Sequence, residues 1–301
     1  MVGKKSTLNW VFDIFNYLFL TLLAIVCLYP MLHVAFGSIS NPTLLTKHTG
    51  ILLHPLGFTS RGYEIVFRNP NIWSGYGNTL FYVIVGTVAR TIITMLGAYV
   101  MMQKDFMLRK ILMFLFVFTM YFSGGMIPDY LLVTKLHLLN TRWALIIPTL
   151  ISTWNMIILK TAFSQVPVSL SESARLDGAG DLTILFQIIL PAAKASVAVI
   201  IMYYAVGEWN SWFSAAIYLP GRRDLYPLQL FLREILISNS TSGNAAEAAG
   251  GAGSSPDAIE ALIEDVVRYC TICVATIPIL CIYPFVQKYF VKGVMMGSVK
   301  E

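Results

Sequence analysis

Residues 165–191 read QVPVSLSESARLDGAGDLTILFQIILP, a turn-rich stretch set between two apolar runs. Pro167 has no amide hydrogen, and its fixed φ suits the entrance to a helix. Ser169 or Ser171 is placed to cap that helix, and Glu172 falls near its positive N-terminal end. Gly178 then stops it. The spacing predicts a short helix, a turn through Gly178 and Gly180, and a second helix leading to Pro191. A short helix lying across the end of a helical bundle is shaped to fit a groove on a soluble partner.

The chain around this stretch is too apolar for a soluble domain. Of its 301 residues, 56% are hydrophobic and 12% charged, against about 25% charged in soluble domains. A membrane helix needs about 20 apolar residues, and about 17 suffice. Six runs qualify: 14–36, 78–101, 111–128, 143–159, 195–219 and 269–287. Lipid cannot pair an exposed amide, so such runs are expected as helices. The first run exceeds the apolar core of a secretory signal and is expected to stay as an anchor. These features predict an all-α membrane protein of six transmembrane helices.

Lys and Arg in short loops set the orientation. Lys4, Lys5, Lys104, Arg109, Lys110, Lys160, Arg175, Lys194, Lys288, Lys292 and Lys300 fall on one side. That side is expected to be the cytoplasm, which places both termini (1–13 and 288–301) and the 164–194 loop inside. The 37–77 and 220–268 loops are then external. Within the second of these, residues 238–257 are rich in Gly, Ala and Ser and predict a flexible segment. Residues 225–237 just before it have the pattern of a short amphipathic helix able to touch an external partner. The net charge of +5 is spread along the chain without a basic stripe, which excludes nucleic acid as a partner.

Glu172, Ser173, Ala174, Gly178, Ile188, Leu190 and Pro191 stand at the spacings of the E-A-A-x3-G-x9-I-x-L-P motif. On these residues the chain resembles the permease subunits of binding-protein-dependent ABC importers, with Ser173 in place of the first alanine. The run from Pro148 to Ile158, Gly207 to Trp212, and Gln287 to Gly293 are similar to the carbohydrate-uptake branch. Within it the chain resembles the maltose-permease MalG type and, more closely, the YtcP/LplC type linked to complex oligosaccharides. The resemblance implies a MetI-like, type I importer fold in a bacterial cytoplasmic membrane. It also implies that the motif helix, with Asp177 beside Gly178, couples the chain to an ATPase. The expected partners are a second homologous permease subunit, two ATPase subunits and an extracellular solute-binding protein, besides membrane lipid. No cofactor is expected on this chain, and ATP and Mg belong to the ATPase. The sequence agrees: Gly3-Lys4-Lys5-Ser6 lacks the first glycine and the strand of a nucleotide-binding loop.

Arg90 and Glu208 lie away from the ends of their runs, where a charge must face protein or water. They are candidates to line the solute path; the alternative is an interhelical hydrogen-bond network. Trp209, Asn210 and Trp212 add flat rings and an amide, which suit stacking on and hydrogen bonding to a sugar, although belt aromatics are also common at membrane interfaces. Cys27, Cys270, Cys273 and Cys281 all sit in apolar runs, which argues against a disulfide framework or a metal site. An enzyme is disfavoured by the lack of clustered His, of a Ser/His/Asp arrangement or of paired intramembrane acids. A secondary transporter is disfavoured by the lack of an internal repeat.

Overall fold

The computed structural model describes residues 7–48, 50–237, 263, 266–281 and 284. Lys4, Lys5, the 238–257 segment, the Gln287 to Gly293 run and the C-terminal tail lie outside the described residues. In chain order the helices are α1 (Thr7–Ser38), α2 (Pro42–Lys47), α3 (Arg61–Arg68), α4 (Pro70–Met102), α5 (Arg109–Tyr121), α6 (Met126–Lys135) and α7 (Trp143–Thr149). They continue with α8 (Thr153–Phe163), α9 (Val168–Leu176), α10 (Asp181–Ala192), α11 (Lys194–Trp209), α12 (Phe213–Tyr218), α13 (residues 228–237) and α14 (Val266–Cys281). No strand occurs among the described residues; Ser40 and Phe58 form one isolated bridge.

The chain divides into two units. The first comprises Met1–Asn69 and Leu232–Thr276. Its α1 exposes large apolar side chains from Trp10 to Leu32, the surface expected of a helix meant for lipid. The Ser38 hydroxyl meets the Tyr63 hydroxyl at 2.8 Å, and the Cys270 thiol donates to the Ser38 carbonyl at 3.1 Å. Cys270 is thus buried as a small apolar side chain with its one donor satisfied.

The second unit comprises Pro70–Phe231 and Ile277–Glu301 and holds the main core. Here α4 packs along α8, and α11 packs on both. Ala98, Met156, Leu159, Phe163, Leu185 and Ile200 close that core with at most 2% exposure each. Pro70 starts α4, where a missing amide hydrogen costs nothing. At 33 residues α4 runs roughly 50 Å, longer than the ~30 Å hydrocarbon layer. A wider turn at Tyr82–Gly86 interrupts its regular pitch.

Three of the apolar runs are not single straight helices. Residues 111–128 break after Tyr121, and α5 and α6 meet at 117°. Gly125 adopts φ +90, which other residues resist, and Pro128 belongs to the next helix. Residues 143–159 bend by 51° between α7 and α8, at Pro148 and the Ser152 cap that receives the Asn155 amide. Residues 195–219 are interrupted at Asn210–Trp212, between α11 and α12. Among the described residues, two continuous helices are long and apolar enough to cross a membrane, or up to five elements if each of three bent pairs is one span, and α14 is a shorter apolar helix.

Candidate functional site: the motif segment and a buried ion pair

The helix expected at residues 165–177 is α9, and it begins at Val168 with Pro167 in the capping position. No side chain caps it. This corrects the expectations for Ser169, Ser171 and Glu172: a cap must precede the first turn and both serines fall inside the helix, while Glu172 lies at mid-helix, past the first turn and its dipole. At the other end the Gly178 amide donates to the Arg175 carbonyl, 3.0 Å, and the Ala179 amide to the Ala174 carbonyl, 2.9 Å. These two bonds form a Schellman closure around Gly178, whose φ is +85. A Cβ placed on Gly178 meets no atom of the chain within 4 Å. Backbone conformation, not crowding within the chain, requires glycine there.

The closure sorts the motif into two faces. Ala174, Ala179, Ile188 and Leu190 pack against the core under α4 and α8. Glu172, Ser173 and Asp177 point outward and are exposed. Leu176 stands out beside them at 90% exposure. In α10 the wider turn Leu185–Ile189 directly precedes Pro191. A regular α pitch would press the Pro191 ring on the Gln187 carbonyl, so the wider turn relieves that clash. The chain then turns by 90° into α11.

Four residues that sequence reading did not single out tie this segment to α4. Tyr99, 5% exposed, donates its hydroxyl to Asp181 Oδ1 at 2.9 Å. Arg175 Nη2 reaches the same oxygen at 3.4 Å and donates to Gln103 Oε1 at 3.1 Å. Asp181 and Arg175 stood in the motif stretch, but nothing in their spacing pointed to partners some 70 to 80 residues earlier.

Arg90 and Glu208 come together as a buried ion pair, 5% and 7% exposed, with Arg90 Nη1 donating to Glu208 Oε2. Arg90 Nη2 donates to the Leu145 carbonyl at 3.1 Å and to Thr149 Oγ1 at 2.6 Å. One guanidinium therefore joins α4, α7 and α11. One turn further along α4, the Thr94 and Tyr204 hydroxyls meet at 2.7 Å and tie α4 to α11 again. Trp209 is buried, its ring tilted against Tyr76 at 6.2 Å. Asn210 is exposed at the helix break, its amide donating to the Val206 carbonyl, and Trp212 beside it is partly exposed.

The far end of α4 holds the loop before α13. Asn78 Nδ2 donates to the carbonyls of Asp224 and Tyr226, 2.7 and 3.1 Å, and Tyr82 to that of Leu225, 2.8 Å. Arg142 donates to Asn78 Oδ1 at 3.1 Å and lies over the Phe81 ring. Gly75 lets the backbone of Leu228 approach; a Cβ there would sit 3.0 Å from Leu228 Cα. The helix expected from residue 225 therefore starts at 228, after a tight turn at Arg223–Leu225. Outside the apolar runs, the Arg222 hydrogen bond holds the Asp224 carboxyl below its ordinary range. Asn78→Ala is expected to free this loop, read as faster cleavage near Arg222 by trypsin added to the purified protein. An unchanged cleavage rate would count against the anchoring role.

A family model described as "Binding-protein-dependent transport system inner membrane component" matches residues 93–295. The chain is 40% identical to the polygalacturonan/rhamnogalacturonan transport system permease protein YtcP of Bacillus subtilis, over 97% of this chain and 99% of that one. It is 36% identical to protein LplC of the same organism, over 96% and 95%. A solved bacterial ABC transporter involved in the import of the acidic polysaccharide alginate contains a similar chain: TM-score 0.83, 30% identity, 96% of this chain and 100% of that one. The matched span takes in the motif segment with its Schellman turn and the Glu208 side of the ion pair, and the chain belongs to the inner membrane components of binding-protein-dependent transport systems.

Proposed function

We propose that this chain is the permease subunit of an ABC importer that carries a complex, acidic oligosaccharide into a bacterial cell. The observation that carries the coupling role is α9: its inward face is packed, its end is closed by Gly178, and Leu176 is left 90% exposed beside Glu172 and Asp177. An apolar side chain so exposed on a short polar helix is suited to a partner's groove. The partner is an ATPase, present in two copies, which binds ATP and Mg and does the hydrolysis. A second, homologous permease subunit completes the pathway, and an external solute-binding protein delivers the solute. The α9–α10 segment and both termini face the cytoplasm. The acidic sugar class is supported by two relatives, one named for polygalacturonan and rhamnogalacturonan and one for alginate.

Asn210 and Trp212 are proposed to line the path, with Arg90, Glu208 and Trp209 behind them. Irregular backbone at membrane depth is tolerated only where it is buried in protein or faces a water-filled cavity. The exposed break at Asn210–Trp212 fits the second case. The test is uptake by the assembled complex of uronic-acid oligomers against neutral oligomers of equal length. Uptake of the neutral set alone would overturn the substrate class. Orientation is tested separately: an impermeant thiol reagent is expected to label a cysteine at Ser254 from outside and not one at Ser171. The reverse pattern would refute it.

A further inference from the structure

Asp181, just past the Gly178 turn, is an acceptor shared by two elements, α4 and α9. It opens α10, where a carboxylate is favoured by the helix dipole. Its Oδ1 takes the Tyr99 hydroxyl from α4, at 2.9 Å, and Arg175 Nη2 from α9, at 3.4 Å. The same Arg175 nitrogen reaches Gln103, the residue that ends α4, at 3.1 Å. The Arg175–Asp181 pair is exposed and contributes little by itself. The Tyr99 bond differs, because the ring is buried in the core that α4 shares with α8 and α10. Tyr99 also lies nine residues along α4 from Arg90, roughly 14 Å, on the helix that carries the ion pair.

We infer that Tyr99 and Asp181, with Arg175 and Gln103, are positioning residues that clamp the motif segment to the end of α4, so that displacement of α9 moves α4 as one body. The inference rests on the reading of α9 as the ATPase-docking helix and goes beyond it by naming the first span to move and the bond that moves it. Without the clamp, the segment can pivot at Gly178 and at the 90° bend after α10, and the motion is lost before it reaches Arg90 and Glu208.

The test uses the full complex of both permease subunits and the ATPase in lipid discs, trapped with ATP and vanadate. Spin labels are placed at Lys104, just past α4, and at Thr183 in α10 through an unnatural amino acid, leaving the native cysteines in place. In the unaltered chain the distance between labels is expected to be the same before and after trapping. In Tyr99→Phe and in Asp181→Ala it should shift or broaden on trapping, and uptake should fall at least about fivefold, the low end of usual coupling factors. Asp181→Glu should restore both. A constant distance in Tyr99→Phe, or a distance that already changes in the unaltered chain, would overturn the clamp. Loss of the ATPase from the Tyr99→Phe complex would also overturn it, by making Tyr99 part of assembly. Leu176→Asp tests the docking reading apart from the clamp: it should strip the ATPase, and retention would sink that reading without touching the distance result.

Discussion

Gly178→Trp is expected to leave the chain inserted in the membrane and to abolish uptake, with the ATPase either detached or hydrolysing without control by solute. The Schellman turn holds Gly178 at φ +85, where a side chain costs about 1–2 kcal/mol. Nothing lies within 4 Å of an added Cβ, so the first atom of a side chain there is not crowded by the rest of its own chain. Gly178 directly follows Leu176 and Asp177, which are exposed on the face proposed to enter the ATPase groove. Overpacking such an interface costs typically ~1–3 kcal/mol, a weakening of about one to two orders of magnitude. Two smaller replacements separate the causes. Gly178→Asn accepts the left-handed conformation and should retain more uptake than Gly178→Ala. Co-purification of the ATPase, hydrolysis and uptake are read in parallel. Normal uptake with normally regulated hydrolysis in Gly178→Trp would remove the coupling role from this turn. Glu172→Lys should act in the same direction, because it reverses the charge on the exposed face of α9 proposed to enter the groove.

The second large effect is expected at the ion pair. Glu208→Gln or Arg90→Met leaves one polar partner buried without its counterpart, and breaking a buried pair costs about 3–5 kcal/mol. Each single variant should therefore aggregate at lower temperature in detergent. Removing both charges, as in Arg90→Met with Glu208→Leu, should recover much of that stability, since well-packed apolar replacements are often neutral or better. Uptake should not return with it. The guanidinium joins α4, α7 and α11 beside the exposed break at Asn210–Trp212, and the Arg90 Nε and the Thr87 and Thr91 hydroxyls have no hydrogen-bond partner among the described residues. Such a site is suited to exchange partners as the helices move. Full uptake in the double variant would make the pair a static tie. Asn210→Ala should lower uptake while the ATPase stays bound, because the Asn210 amide bonds back to the Val206 carbonyl at its own helix end.

What could be read from the sequence was local. Hydropathy marked the apolar runs because each is a property of consecutive residues. The motif helix, its stop at Gly178 and the second helix to Pro191 followed from proline and glycine restricting φ at fixed places. Even the errors in that segment are local: Pro167 takes the capping position, so the serines behind it have no cap to make and Glu172 falls at mid-helix. Arg90 and Glu208 stood out as charges in apolar runs, since burying a charge is costly wherever it occurs.

Their pairing, across 118 residues, was decided only by the packing of α4 on α11. So was the Tyr99–Asp181 bond, which joins a tyrosine that looks like any core aromatic to an aspartate that looks like any helix-start acid. The breaks at Gly125 and at Asn210 depend on what surrounds them, because irregular backbone needs protein or water to pair the groups that a regular helix would satisfy itself. Sequence alone thus determined the class of the protein, its apolar runs and the position of the Gly178 turn, all set by short-range covalent and solvation constraints. Tertiary structure alone decided which polar groups meet, because a hydrogen bond between two helices depends on their relative height and rotation, and neither is encoded in any one stretch of chain.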